Sequence, residues 1–152
     1  MLTTETPVSR FFTLYSRETA KGNMPAVVSH FADTFLFAGP SGAQVVRAID
    51  FAAALPKRKA IFDQLGSQPT ELNAIYETPL DSRYVLARTT WRFSFIPENA
   101  PAQQFDTDST FLIDTGLPGT SESAYKILLY LPHHDIMQLL RDLGILRASA
   151  FK

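Results

Sequence analysis

Residues 15–42 read YSRETAKGNMPAVVSHFADTFLFAGPSG, and this stretch decides the fold prediction. A first helix ends at Gly22, and Asn23 is a good cap for a second, shorter helix. The aromatic run 34–38 is typical of a strand, and the sequence Gly-Pro-Ser-Gly at 39–42 indicates a tight turn. The segment therefore predicts two helices followed by a strand that turns back on itself.

Outward from this stretch, the chain continues with a third helix and then changes to a strand pattern. The third helix is predicted from Ile49 to Gly66, with a break or kink at Pro56. Alternating and β-branched residues then predict four strands, and apolar residues at helical spacing predict a terminal helix at 133–145. Helices followed by antiparallel strands are typical of an α+β fold, with the helices on one face of a sheet. The strand candidates are 71–78, 84–96, 105–114 and 124–131.

Composition limits the classes of protein. The 152 residues fit a single domain, and the net charge of −1 argues against nucleic acid as a partner. The absence of cysteine excludes disulfides and thiolate metal sites. No secretory signal and no membrane-spanning run are visible, so a cytoplasmic location without membrane contact is expected. The basic run Lys57-Arg58-Lys59 is interpreted as a solvated helix face.

The element order resembles the nuclear-transport-factor-2-like (NTF2-like) superfamily, which includes ketosteroid isomerases and the SnoaL-like polyketide cyclases. The resemblance implies a cone-shaped barrel, in which a strongly curved antiparallel sheet carries N-terminal helices on its concave face around an apolar pocket. This is a cystatin-like fold. Residues 1–152 would then form one SnoaL-like domain with an extra C-terminal helix. The residues that carry the resemblance are Tyr15, Gly22-Asn23, Phe31-Ala32-Asp33, Gly39-Pro40-Ser41-Gly42 and Ser109-Thr110-Phe111.

The same resemblance implies that the acids of ketosteroid isomerase are missing here. That enzyme uses a tyrosine and a protonated aspartic acid as oxyanion donors and a second aspartate as the base. Tyr15 matches the tyrosine by spacing. Gly39 stands where the base belongs, and Ser109 stands where the second acid belongs. Since glycine cannot take a proton and serine is not an acid, steroid isomerisation by that mechanism is not expected.

Strand alternation predicts which side chains face the pocket. On strand 84–96 the face that carries Trp91 is the apolar one, so it should line the concave interior. The resemblance places Ser109, Phe111 and Tyr130 on that interior as well. Tyr15 is either a core tyrosine or a pocket hydroxyl. The expected pocket residues are Tyr15, Phe37, Trp91, Ser109, Phe111 and Tyr130.

The register of strand 105–114 decides the role of its acids. Since the resemblance places Ser109 and Phe111 inside, alternation puts Asp106 and Asp108 outside with Arg88 and Arg92, which predicts cross-strand ion pairs. A one-residue slip or a bulge would instead turn Asp108 into the pocket, as a candidate general acid or base.

Two other residues are candidates for acid–base work. His30 is either a base on the pocket side or an exposed helix histidine. Asp33 is either its partner at helical spacing or a solvated residue closing the second helix. No metal site is expected at residues 133–135, His-His-Asp, because adjacent imidazoles on a helix point about 100° apart. No cofactor is expected either, since no phosphate loop or dinucleotide fingerprint is present.

These observations predict a protein that binds an apolar small molecule in the pocket. The alternative is a cofactor-independent isomerase, dehydratase or polyketide-cyclase-type enzyme, with Tyr15 as the electrophile. A third hypothesis is an interaction domain whose sheet docks another protein. A homodimer through the outer sheet face is expected, because related proteins commonly dimerise there. The apolar side chains that face outward by parity are Tyr84, Leu86, Leu112 and Leu129.

Overall fold

Residues 5–146 are described by the structure, a computed structural model, as four α-helices and six β-strands. In chain order these are α1 (Pro7–Ala20), α2 (Met24–Ser29), β1 (Phe31–Gly39), β2 (Gly42–Arg47), α3 (Ala48–Gln64), β3 (Glu71–Pro79), β4 (Tyr84–Phe95), β5 (Gln103–Asp114), β6 (Lys126–Pro132) and α4 (Ile136–Asp142). None of these helices is both long and apolar enough to span a membrane.

The first two helices begin at side-chain caps. The Thr6 hydroxyl accepts a hydrogen bond from the Ser9 amide at 3.0 Å, and the Asn23 side chain caps α2 in the same way. The second helix ends at Ser29, because β1 begins at Phe31. The carbonyl of His30 accepts from the amide of Ile127 at 2.8 Å, so pairing with β6 replaces the helical hydrogen bonds at this point.

The third helix is continuous, so of the two predicted alternatives at Pro56, a break or a kink, the break is wrong. Pro56 lies inside the seventeen residues of α3 and is exposed. Apolar side chains hold the helix on both sides of it: Leu55 packs against the larger core, and Phe62 belongs to the smaller one. This packing offsets the backbone hydrogen bond that proline cannot donate.

The six strands form one curled sheet, in the order β2-β1-β6-β5-β4-β3. It does not close into a barrel, since β2 and β3 are its two edges. The sheet is antiparallel, as predicted, except at one place: β1 and β6 pair in parallel, with Phe31 opposite Ile127 and Phe37 opposite Tyr130. All other neighbours are antiparallel.

The helices lie on the concave face of this sheet. Phe11, Phe12 and Tyr15 of α1 pack with Trp91 and Phe111 of the sheet in the larger core. The side chains of α1 that point away from the sheet are polar or exposed. The helix is therefore amphipathic, with its apolar face on the sheet and its polar face toward solvent.

The terminal helix is shorter than the predicted 133–145. It runs only from Ile136 to Asp142, because the Asp135 side chain caps it by accepting from the Gln138 amide at 3.2 Å. Leu140 of this helix is fully buried in the smaller core. The helix therefore closes one end of the sheet. The other buried members of the smaller core are Phe62, Phe95, Ile145 and Leu146.

Candidate functional site

A cavity of about 300 Å³ lies between the concave face of the sheet and the three helices α1, α2 and α3. This volume is at the lower end of the range of small-molecule sites. Exposed residues at its edge include Lys59, Asp63, Gln68 and His134. The buried side chains on its wall are Tyr15, Val27, Phe62, Trp91, Thr107, Ser109 and Phe111.

Tyr15 lies on the cavity wall near the end of α1. Its ring packs near those of Trp91 and Phe111, with centroids 6.0 Å away in both cases. Its hydroxyl forms no hydrogen bond with any residue from 5 to 146. Burial raises the pKa of this hydroxyl, nearby Tyr130 raises it further, and Arg58 opposes both. Tyr15 therefore stays protonated and can donate a hydrogen bond into the cavity.

The two strands β4 and β5 provide the polar part of the wall. Trp91 donates its indole N–H to the Thr89 hydroxyl at 2.6 Å, and Thr89 donates to the backbone oxygen of Ser109 at 2.9 Å. This chain of bonds fixes the Trp91 ring and uses up its only donor. Thr107 and Ser109 are buried residues on the cavity wall, and neither hydroxyl has a hydrogen bond within the described chain.

Phe37, one of the expected pocket residues, does not line the cavity and lies behind Tyr130. The Tyr130 ring lines the cavity and stacks on Phe111 at a centroid distance of 4.9 Å. Phe37, which is its neighbour across the β1–β6 pairing, packs edge-on against Tyr130 at 5.5 Å. Because the Tyr130 ring already occupies the wall there, Phe37 supports it from behind and does not line the cavity.

Asp108 is among the residues that border the cavity, but its carboxylate is turned away from it. Its carboxylate accepts from Arg88 at 2.6 Å and from the Thr90 hydroxyl at 2.9 Å, and these hydrogen bonds hold its pKa below the usual range. Thr90 pairs with Asp108 in a register without a bulge between β4 and β5, so the alternative of a slip is wrong. Asp106 pairs with Arg92 on the same convex face, which confirms the predicted cross-strand ion pairs.

His30 is neither a base on the pocket side nor an exposed helix histidine, the two alternatives that the sequence left open. It is 5% exposed, its Nε2 contacts the Glu18 carboxylate, and its ring packs edge-on against Phe11. The reason is that α2 ends at Ser29, so that His30 turns back toward α1. Its Nδ1 is buried without a partner among the described residues. His30 is not part of the cavity wall.

The remaining polar candidates are also separated from the buried wall. Asp33 is exposed on β1 and does not pair with His30. His133 lies before α4 and shares a hydrogen bond with Thr110 at 2.7 Å, whereas His134 reaches the cavity edge. Within residues 5–146, no group of three or more histidine, aspartate or glutamate side chains is placed to hold a metal ion.

Comparison with known proteins gives matches at the level of structure. No family model matches the sequence, and a comparison with curated proteins gave no significant match. The β subunit of benzoate 1,2-dioxygenase from Burkholderia mallei superposes with a TM-score of 0.66 at 13% identity, over 91% of this chain and 96% of that one. An NTF2-like protein from Shewanella oneidensis gives 0.61 at 11% identity, over 84% and 97%. The chain has the NTF2-like fold.

A putative polyketide cyclase from Xanthomonas campestris is another NTF2-like neighbour, with a TM-score of 0.55 at 13% identity over 89% of this chain and 95% of that one. These matches confirm the predicted α+β, cystatin-like class. At such identities they establish the NTF2-like fold alone.

One wall of the NTF2-like cavity was missed by the sequence analysis. Arg58 lines it from α3, with its guanidinium carbon 4.9 Å from the centroid of the Phe62 ring. The interpretation of the basic run as a solvated face is therefore wrong for this residue. Phe51, Leu55, Arg58 and Phe62 follow one another at intervals of three or four residues, which places them on one face of a helix. A basic residue within an apolar stripe was the signal that could have located it.

Proposed function

We propose that this protein binds an apolar small molecule in the cavity inside the curved sheet. The observation that carries the proposal is that Tyr15, Thr107 and Ser109 line the cavity among aromatic rings, and that their side-chain hydroxyls have no hydrogen-bond partner in residues 5–146. Because these hydroxyls border the cavity and are not used by the protein, they are available to hydrogen-bond a bound molecule. A ligand with an apolar body and one or two hydrogen-bonding groups fits this wall.

The apolar part of the wall supports the same ligand class. Trp91 and Phe111 present ring faces or edges, and Val27 of α2 completes an aliphatic side. Similarity to a putative polyketide cyclase is consistent with a small organic ligand.

Binding is preferred here to acid–base catalysis because of where the candidate bases lie. Asp108 borders the cavity, but its carboxylate is held by Arg88 and Thr90, and His30 and Asp33 do not line the cavity. A cofactor-independent isomerase, dehydratase or polyketide cyclase would need a base at the cavity edge, where His134 and Asp63 stand. A protonated Tyr15 serves as a hydrogen-bond donor to the ligand in either case.

Trp91 makes the proposal directly testable, because it is the single tryptophan of the chain and lies on the cavity wall. Titration with cyclohexanol and decahydronaphthol, which do not absorb where tryptophan does, is expected to change Trp91 fluorescence in a saturable way. Replacing Ser109 with alanine is expected to weaken binding about two- to tenfold, the net value of one hydrogen bond.

The matched control for this experiment is Ser94→Ala. Ser94 belongs to β4 but points to the convex face, so the same chemical change should leave the dissociation constant unaltered. Fluorescence that does not respond to either alcohol, or equal affinities in wild type and Ser109→Ala, would contradict the proposed site.

We also propose that the convex face of the sheet is the interface of a homodimer. One row of aliphatic side chains crosses five strands in register on this face. Leu36 and Val45 in this row are 40% and 73% exposed. The row runs beside the ion pairs of Arg88 and Arg92 with their aspartates. Its members are Val45, Leu36, Leu129, Leu112 and Leu86.

A second copy of this chain is the partner that best fits such a surface. In an arrangement with two-fold symmetry, the aliphatic row meets itself, and arginines of one copy face aspartates of the other. Burying the row in this way removes the exposed aliphatic side chains of Leu36 and Val45 from water.

The dimer is tested by placing a charge in the row. Native mass spectrometry and light scattering are expected to show a dimer for wild type and a monomer for Leu36→Arg. An unpaired charge at the interface should weaken association at least about a hundredfold. Leu117→Arg is the control, since Leu117 is an exposed loop leucine outside the row. A monomeric wild type, or a dimer that survives Leu36→Arg, would rule out this interface.

A further inference from the structure

We propose that Arg58 binds a carboxylate on the ligand, and that the cavity is therefore built for an apolar monocarboxylic acid. This inference rests on the proposed function of the cavity and adds to it the charge of the ligand.

The position of Arg58 is the first argument. It stands on the face of α3 that also carries Leu55 and Phe62, both of which line the cavity. Its side chain is half-buried, and the guanidinium lies over the Phe62 ring at 4.9 Å. Stacking on an aromatic face holds the planar group in place while leaving its edge donors free.

The second argument is that this guanidinium has no counter-charge. Within residues 5–146 no carboxylate lies within 4.0 Å of Arg58, and its side chain makes no hydrogen bond there. A guanidinium has five N–H donors in a fork that matches a carboxylate, so a half-buried one without acceptors is a ready anion site. Among the other described arginines, Arg17 and Arg141 also lack an acidic partner but are exposed, whereas the rest are paired, namely Arg10, Arg47, Arg83, Arg88 and Arg92.

The charges at the cavity edge favour a monoanion. Lys59 and Asp63 neutralise each other through an ion pair of 2.6 Å, which leaves the single positive charge of Arg58 on this wall. A carboxylate matches one positive charge, whereas a phosphate dianion would remain only half compensated.

The positive charge of Arg58 also acts on Tyr15, on the buried wall of the cavity. Its charge acts to lower the pKa of the Tyr15 hydroxyl, although burial of that hydroxyl outweighs it. Arg58 and Tyr15 therefore stand close enough for one ligand to meet both. With its carboxylate at Arg58, a ligand would extend its apolar body toward Trp91 and Phe111, where the hydroxyls of Thr107 and Ser109 can bind a second polar group.

The test compares two molecules of the same shape. Decahydronaphthalene carboxylate and its neutral carboxamide are titrated against the full chain, with Trp91 fluorescence as the readout. The carboxylate is expected to bind about ten- to a hundredfold more tightly, the range for a hydrogen bond to a charged group. Arg58→Gln should abolish that preference while leaving the affinity for the amide unchanged, and Arg58→Lys should retain part of it.

Lys57→Gln is the matched control, because it removes the same charge from the adjacent, exposed position of α3. It should preserve the preference for the carboxylate. Equal binding of carboxylate and amide by the wild type would overturn the role of Arg58 while leaving the pocket intact. A preference that survives Arg58→Gln in a folded variant would overturn it as well. If neither compound nor decahydronaphthol binds, the pocket itself is wrong, and the inference falls with it.

Discussion

Alanine at Gly66 is expected to destabilise the protein far more than alanine at Gly144. Both glycines follow the last residues of a helix with positive φ, +81° and +76°. A Cβ at Gly144 would meet nothing within 4 Å, whereas a Cβ at Gly66 would lie 2.0 Å from the backbone oxygen of Ile96. Since this oxygen cannot rotate away as a side chain can, the contact must break the backbone arrangement.

The expected magnitudes separate the two variants clearly. Gly144→Ala should cost about 1–2 kcal/mol, the price of positive φ for a residue with a side chain. Gly66→Ala should cost more than about 4 kcal/mol, with a fall in Tm of roughly 8–16 °C for a chain of this size. Thermal and urea denaturation followed by circular dichroism measure both. Losses of equal size would mean that Ile96 moves freely and that the close approach is unimportant.

The close approach at Gly66 matters for the cavity as well as for stability. The Gly66 carbonyl accepts from the Ile96 amide at 2.8 Å, which ties the end of α3 to the end of β4. Because α3 carries Arg58, Gly66→Ala should also lower the affinity for the ligand. A less destabilising substitution at the neighbouring exposed residue Gln64 should leave that affinity intact.

Phe12→Ala is expected to give the second large effect, a loss of about 3–5 kcal/mol in the free energy of unfolding. Phe12 is completely buried, and its ring lies 5.0 Å from that of Phe111 and 5.9 Å from that of Tyr15. Removing the ring leaves a void behind two residues of the cavity wall. Leu14 lies on a different face of α1 and is 38% exposed, so Leu14→Ala should cost less than about 1 kcal/mol.

Denaturant titration with both variants tests this difference. Since domains of this size are stable by roughly 5–15 kcal/mol, Phe12→Ala can leave too little folded protein to measure. Phe12→Leu then serves as a second variant, with an expected loss between those of the other two. Comparable losses for Phe12→Ala and Leu14→Ala would show that α1 does not support the wall in the way described.

The helix starts and turns could be predicted from sequence because their signals are local. Asn23 caps α2 through a hydrogen bond to a residue three positions later, and the turn at 39–42 needs only its own residues. The parallel pairing of β1 with β6 has no such signal, since its partners are far apart in sequence. Continuity of α3 through Pro56 was unpredictable for the same reason, because contacts with distant elements hold it together.

The candidate site was predictable where strand alternation governs it. Alternation places Trp91 inward on its strand, the resemblance places Ser109 inward, alternation then turns Asp108 outward, and the register of β4 with β5 agrees. His30 was misjudged because its surroundings depend on Glu18 of another helix. Arg58 was missed because its two basic neighbours suggested a uniform exposed face, although the helical period separates adjacent side chains by about 100°.

The parallel pairing of β1 with β6 has a consequence for how the chain folds. Strand β1, which places Phe31 and Phe35 in the core, lies between β2 and β6. Its pairing with β6 joins it to a strand near the far end of the described chain. Contacts between residues so distant in sequence slow folding, because a long loop must close before they form. During synthesis on the ribosome, the hairpin of β1 and β2 therefore waits with one side unpaired until β6 has emerged.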